Sequence, residues 1–320
     1  MRLTDILNSS NLKKDTKMKK YLSPALLVFA AAIWGFAFSM QKSAESIPPF
    51  TLGALRSIIA AAFLFMLIPF SRKLVDTGDT VSQKVRPLFT KTELIGGAMC
   101  GGVLAIATFF QQAGIAAGVD AGKASFITSL YVVFVPVYYL FLKRRAPINI
   151  WISIAIAAVG FYLLCINGGF GIAKEDVTVL ICSLLFPFHI MFIDHFVKTC
   201  DPIRLSTVQF LSGTVINAIL ALIFEPLPDL QLILSALPAV IYLGIMSSGV
   251  AYTLQMIGQK GTAPWAATII LSLESVFGVL GGMIVFGEVL SLREYIGCAV
   301  IFIAVIISET DFSAIFKKCK

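Results

Sequence analysis

Residues Gln112–Phe134, QAGIAAGVDAGKASFITSLYVVF, return 143 positions later as Gln255–Phe277, QMIGQKGTAPWAATIILSLESVF. At this offset Gln112 meets Gln255, Gly118 meets Gly261, Ala124 meets Ala267 and Ile127 meets Ile270. Ser129-Leu130 meets Ser272-Leu273, Val133-Phe134 meets Val276-Phe277 and, upstream, Gly101 meets Gly244. Apolar residues match one another easily by chance, whereas paired Gln and Gly positions do not. The chain is therefore read as an internal duplication, and what a duplication means depends on how many elements it copies.

Working outward, the chain has 320 residues, 58% of them apolar, with mean hydropathy +0.90 and 13% charged. A water-soluble protein keeps about a quarter of its residues charged, so a soluble fold is excluded and most of the surface must face lipid. A bilayer core of about 30 Å takes roughly 20 apolar residues in a helix. Ten such runs occur, near 22–40, 50–70, 94–117, 124–142, 148–166, 177–197, 203–224, 234–257, 264–286 and 291–308. They are continuously apolar, whereas barrel strands alternate over about 10 residues, so the predicted fold class is all-α membrane protein. The expected organisation is a tail 1–21, a first repeat 22–166, a second repeat 177–308 and a tail 309–320. The unit is thus five helices. Five is odd, so the second copy enters the membrane upside down. Inverted repeats around a midplane site are a transporter architecture, because the halves can exchange roles to open on either side; a channel can use the same plan.

The net charge of +7 invites a nucleic-acid reading, but the basic residues lie in short clusters between apolar runs and form no continuous basic face. They follow the positive-inside pattern instead. Of the 25 Lys and Arg, Lys42, Lys123, Lys174 and Arg293 fall on one side and Arg56 within a span; the rest, including Arg72, Lys73, Lys143, Arg144, Arg145, Lys317 and Lys318, share the other side with both termini. Both tails are expected in the cytoplasm. Lys13, Lys14, Lys17, Lys19 and Lys20 precede the first run like the start of a signal peptide. That run is too long for an h-region and has no convincing cleavage site, so it is expected to be retained.

Several short motifs stand in order along the chain. The first span reads Trp34-Gly35-Phe36-Ala37-Phe38, and the second opens on Pro48-Pro49 with Arg56 one to two turns in. Gln111-Gln112-Ala113-Gly114, Ala121-Gly122-Lys123-Ala124-Ser125-Phe126-Ile127-Thr128, Leu130-Tyr131-Val132-Val133 and Val135-Pro136 follow, then Leu273-Glu274-Ser275-Val276-Phe277 and Phe286-Gly287-Glu288. In this order and spacing, over roughly 22–308, the chain resembles the drug/metabolite transporter superfamily in its ten-helix EamA branch. The resemblance implies a multi-pass carrier of the cytoplasmic membrane with two EamA repeats. Members mostly export amino acids, other metabolites or toxic compounds, and some import vitamins or nucleoside-like molecules. Two departures stand out: Lys143-Arg144-Arg145 where many relatives carry a Gly-Glu pair, and Glu274-Ser275 where many carry a proline.

Ionisable groups inside spans are costly and are functional candidates by default. Glu274 shares a helix face with Gly278, Gly281 and Gly282, at spacings of four, seven and eight. It reads as a contact for a substrate amine or a protonation site, or else as a paired carboxyl group that fixes a helix contact. Arg56 suits a substrate carboxylate, or a structural role at a helix end; an Arg56–Glu274 ion pair would satisfy both structural readings. His189, two residues after Pro187, sits where a proline frees backbone carbonyls and can bind substrate or take a proton, or simply join two helices. Asp194 and His195 lie nearer the cytoplasmic end. Gln209 aligns near Arg56 when Pro202 is set against Pro49 and offers a neutral counterpart on the cavity wall. Gln112 and Gln255, one repeat apart, are read as gates or as a shared fold contact. Trp34 and Tyr131 offer aromatic surface to a substrate, ahead of Tyr138, Tyr139 and Tyr252. Lys123 is expected to pair with Asp120.

No phosphate-cradling loop is present, since Gly168-Gly169-Phe170-Gly171 falls in an expected extracytoplasmic turn, and the zinc-protease and nucleophile-elbow patterns are absent. An intramembrane enzyme with Glu274 and His189 as acid and base is the different-class alternative. The six cysteines show neither zinc spacing nor a disulfide framework and read as packing thiols. No cofactor, metal or nucleic-acid partner is expected. The expected partners are a small-molecule substrate, lipid and, as a coupling ion, protons. Small residues Gly97, Ala98, Gly101 and Gly102 suit packing within one chain or in a homodimer.

Overall fold

The computed structural model describes residues 3–75, 87–165, 173–226, 229–287, 289 and 291–310, without the side chains of 3–20, 70–75, 164, 165 and 309. The Gly168–Gly171 turn, Glu288, Cys319 and the tail from 311 lie outside the described residues, as do the side chains of the N-terminal lysines, Arg72 and Lys73. The protein is an all-helical membrane protein, with ten principal helices among the described residues. They are α1 (Leu3–Ser43), α2 (Pro49–Val75), α3 (Lys91–Ala116), α4 (Ala121–Phe141), α5 (Ile148–Cys165), α6 (Lys174–Phe196), α7 (Pro202–Phe224), α8 (Leu237–Gly261), α9 (Pro264–Phe286) and α10 (Leu292–Glu309). Among the described residues eight are long and apolar enough to cross a membrane, α1 from Tyr21 onward. The other two are α5, whose apolar stretch is Ile148–Leu163, and α10, which carries Arg293, Glu294 and Glu309 at its ends.

Helix ends are set by local chemistry. Thr90 and Glu93 form a capping box at the start of α3, and Ser291 and Glu294 form one at α10. Asp201 accepts from the Ile203 and Arg204 N–H groups ahead of α7, with Pro202 at the first helical position. Gly287 ends α9 in the left-handed region, φ +71°.

The direction of packed pairs shows the inversion. α2 and α7 are the second helices of their repeats, and they run antiparallel: Gly53 faces Asn217 while Ser57 faces Gly213, one turn in opposite senses. α5 and α10, the fifth helices, do the same. Asn149 Nδ2 donates to the Ser308 and Thr310 carbonyls at one end, and Gly160 lies against Gly297 and Ile301 further along. The contact of α1 with α8, through Leu27 and Gly258, has its counterpart between α6 and α3, through Val179 and Gly114. Large apolar side chains such as Phe65, Met66, Leu222 and Ile306 are exposed on the outside, as a lipid-facing surface requires.

Two of the small residues that suit packing within one chain or in a homodimer are in tight contact inside the chain. Gly97 packs on Val208 and Gln209, and Gly101 on Ser212 and Gln209, drawing α3 onto α7. Lys123 is a correction: it pairs with Asp176 at 2.7 Å, joining the starts of α4 and α6, in place of the expected Asp120. Asp176 also accepts from the Ala173 N–H and is thereby held for that role.

Candidate functional site

Three helices depart from regular α geometry where they pass the middle of the bundle. α4 breaks after Ser129 and resumes at Tyr131; α9 breaks after Leu271 and resumes at Glu274. At both breaks hydrogen bonds shorten to the third residue back, Leu130 N–H to the Ile127 carbonyl and Leu273 N–H to the Ile270 carbonyl. Tyr131 and Glu274 are also related by the 143-residue offset. The inverted repeat thus sets one phenol and one carboxyl group at equivalent places, each just past a broken helix. The third irregularity is a π-helical stretch, Leu243–Ala251, within α8. Its counterpart in α3 is regular helix.

These departures surround a cavity with about 430 Å³ of atom-free space, part of it continuous with the outside. Trp34, Arg56, Tyr131, Glu274 and Gln255 all line it. Arg56 is 7% and Glu274 4% exposed, and they come from different repeats. They do not form the ion pair that the sequence suggested: among the described residues Arg56 has no acidic partner within bridging distance. Its Nε donates to Ser248 Oγ and its Nη2 to Ser247 Oγ, both at 2.9 Å. Those adjacent hydroxyls are supplied by the π-helical stretch. Glu274 Oε1 accepts from Ser129 Oγ at 3.3 Å, across the break in α4. Trp34 Nε1 donates to the Ser247 carbonyl at 3.1 Å, and its ring lies 4.6 Å from that of Tyr252. Gln255 Oε1 is buried without a hydrogen-bond partner and so has bonding capacity to offer a ligand, while the Tyr131 hydroxyl lies against the Glu274 carboxyl group.

His189 and Gln209 lie one layer back. His189 Nε2 and Gln209 Oε1 are 2.9 Å apart, and the His189 ring meets Tyr252 edge-on at 5.5 Å. Both support the cavity wall, and His189 does not line the cavity with Glu274. Asp194 accepts from Tyr139 Oη and Lys198 Nζ, each at 3.1 Å, toward the end of α6.

Gln112 is turned away from the cavity and donates to the Gln41 carbonyl at 3.3 Å. Its neighbour Gln111 lines the cavity instead, donating to Thr128 Oγ1 and accepting from Gln41 Nε2, both at 3.0 Å. Sequence reasoning passed over Gln111 and Gln41, whose neighbours on the same helical face are mostly apolar. The mismatch between Gln111 and Gln255 has a physical origin. The π turn in α8 holds more residues per turn than α-helix does, so the face of Gln255 no longer corresponds to that of Gln112.

Of the cysteines, Cys100, Cys182, Cys200 and Cys298 are free, and no cluster of metal-ligating side chains occurs among the described residues. The site is a mixed one: an aromatic cage carrying one cationic and one carboxylic group that do not neutralise each other.

The family model described as the EamA-like transporter family matches residues 22–166 and 173–310. A protein of Archaeoglobus fulgidus named as an uncharacterized transporter is 29% identical over 295 residues, covering 91% of this chain and 86% of that one. The uncharacterized transporter YwfM of Bacillus subtilis is 26% identical over 301 residues, covering 91% and 94%. A crystal structure 20% identical to this chain superposes with a TM-score of 0.70 over 89% of this chain and 96% of that one, and so shares the fold.

Proposed function

The chain belongs to the EamA-like transporter family, and from that premise we propose that it is a secondary carrier that exports a small zwitterionic metabolite, an amino acid being the simplest example. Arg56 takes the substrate carboxylate and Glu274 its ammonium group, while Trp34, Tyr131 and Gln255 bound the remainder. His189 and Gln209 hold the wall behind them. The observation that carries this reading is the pair Arg56 and Glu274, buried on one cavity with only neutral partners, serines and Tyr131. A buried guanidinium without a counter-charge is costly, as is ionising a buried carboxyl group, and a ligand carrying both complementary charges offsets both costs at once.

Transport proceeds by alternating access, the two repeats rocking about the cavity. The membrane is the cytoplasmic one, with both termini inside, as the distribution of Lys and Arg supports. Glu274 is the group that exchanges a proton for the substrate ammonium, which couples export to the proton gradient. The molecule turns over no substrate chemically.

Counterflow in proteoliposomes tests this. An amino acid is expected to exchange, whereas the matching amine without carboxylate and the acid without amine are not. Arg56→Gln should lower exchange about 10- to 100-fold, the loss of a charge-assisted bidentate contact. Glu274→Gln should abolish acceleration by an imposed pH gradient. Equal exchange of all three compounds, or product formed in detergent without any gradient, would refute the proposal.

A further inference from the structure

A second chamber shares Arg56 and Tyr252 with the substrate cavity and lies between α2, α3, α7 and α8. Gly101, Ala105 and Gly213 are among the small residues that line it. Its atom-free space is about 270 Å³, part of it continuous with the outside. Arg56 is the charged residue on its lining, and no Asp or Glu faces it.

The balance of donors there is unusual. A guanidinium carries five N–H groups, and the protein bonds to Arg56 are those to two neutral hydroxyls, Ser247 and Ser248. Gln209 is fully buried; its Oε1 is spent on His189 and its Nε2 has no partner. The Thr108 hydroxyl donates to the Leu104 carbonyl, and Asn217 Nδ2 donates one of its two hydrogens to the Gly213 carbonyl. A permanent cation and an unspent amide N–H therefore converge on a small, otherwise weakly polar space. Water would satisfy the donors but leave the charge in place, and at low dielectric the charge is the larger cost.

We propose that this chamber binds a halide-sized monovalent anion, chloride under physiological conditions, held by the Arg56 guanidinium and Gln209 Nε2. The anion is the counter-charge of Arg56 when the substrate cavity is unfilled. The inference goes beyond the carrier reading and stands without it, because anion binding is measured on substrate-free protein with no transport.

The experiment is thermal unfolding of the purified full-length protein in detergent, titrated with sodium chloride, bromide, acetate or gluconate at constant ionic strength. A ligand that binds the folded state raises its apparent stability by mass action. Chloride and bromide are expected to stabilise saturably and gluconate not. Gln209→Leu should raise the half-saturating chloride concentration about tenfold, the loss of one hydrogen bond to a charged group. Chloride and gluconate behaving alike overturns the proposal. Acetate acting like chloride with the same dependence on Gln209 also overturns it, since the chamber is then a carboxylate pocket continuous with the substrate site. Should Gln209→Leu fail to fold, anomalous scattering from bromide-soaked crystals of the unaltered protein decides: a peak beside Arg56 and Gln209 supports the site, and no peak there refutes it.

Discussion

Lys143 has the left-handed backbone, φ +58°, that L residues avoid. It sits just beyond the end of α4, where the Arg144 N–H bonds back to the Tyr139 carbonyl and closes the helix. At the end of α9 the same task falls to Gly287, whose N–H bonds to the Met283 carbonyl. A side chain in this conformation costs about 1–2 kcal/mol, against up to about 1 kcal/mol of extra chain entropy for glycine. Lys143→Gly is therefore expected to stabilise the protein by about 0.5–1 kcal/mol, seen as a higher midpoint of thermal unfolding in detergent. A lower midpoint would mean that the lysine side chain contributes more than its backbone costs. Single residues were also where the sequence spoke most directly about the site. Arg56 and Glu274 stand out because charge inside a span is rare, and both reach the cavity. That they face it without pairing depends on rotamers and on the separation of α2 from α9, which no pattern in the chain encodes.

At the scale of elements, the spans and their boundaries follow from continuous apolar runs, and the repeat from matched Gln and Gly. The facing of those spans was less legible. The offset of 143 persists from Gly101/Gly244 through Gln112/Gln255, while the π-helical stretch between those positions in α8 changes the angular register. Sequence spacing counts residues and is blind to residues per turn, so Gln112 looked equivalent to Gln255 although Gln111 is the one that lines the cavity. Helix contacts give a sharper test. A Cβ on Gly101 would collide with Ser212 Oγ and the Gln209 carbonyl, the latter being backbone that cannot rotate away, whereas at Gly102 the nearest atom is Ile216 Cδ1 at 3.7 Å. Both changes to alanine gain helix propensity. Gly101→Ala is nevertheless expected to destabilise by about 1–3 kcal/mol through overpacking of α3 on α7, and Gly102→Ala to be neutral or stabilising. Paired thermal unfolding of the two variants reads the difference, and equal effects would show that α3 and α7 are not in close contact.

For the whole molecule, the antiparallel pairing of α2 with α7 and of α5 with α10 makes equivalent connections of the two repeats emerge on opposite faces. The connection from α1 to α2 and the one from α6 to α7 are such a pair, and each exposes a small polar residue, Ser46 in the first and Thr199 in the second. With native cysteines replaced, Ser46→Cys is expected to react with a membrane-impermeant maleimide on intact cells, and Thr199→Cys only after the membrane is opened. The two outcomes test different physics. Reaction of both from one side would mean that the repeats are parallel, which the direction of α2 against α7 forbids for this fold. Reaction of Thr199→Cys outside and Ser46→Cys inside would leave the inverted architecture intact and overturn the orientation, which rests on loop charge alone. Lys143, Arg144 and Arg145, like Lys198, belong to the side assigned to the cytoplasm. Moving that cluster across the bilayer would reverse the charge asymmetry that orients short loops during insertion, so the expected result is labelling of Ser46→Cys from outside.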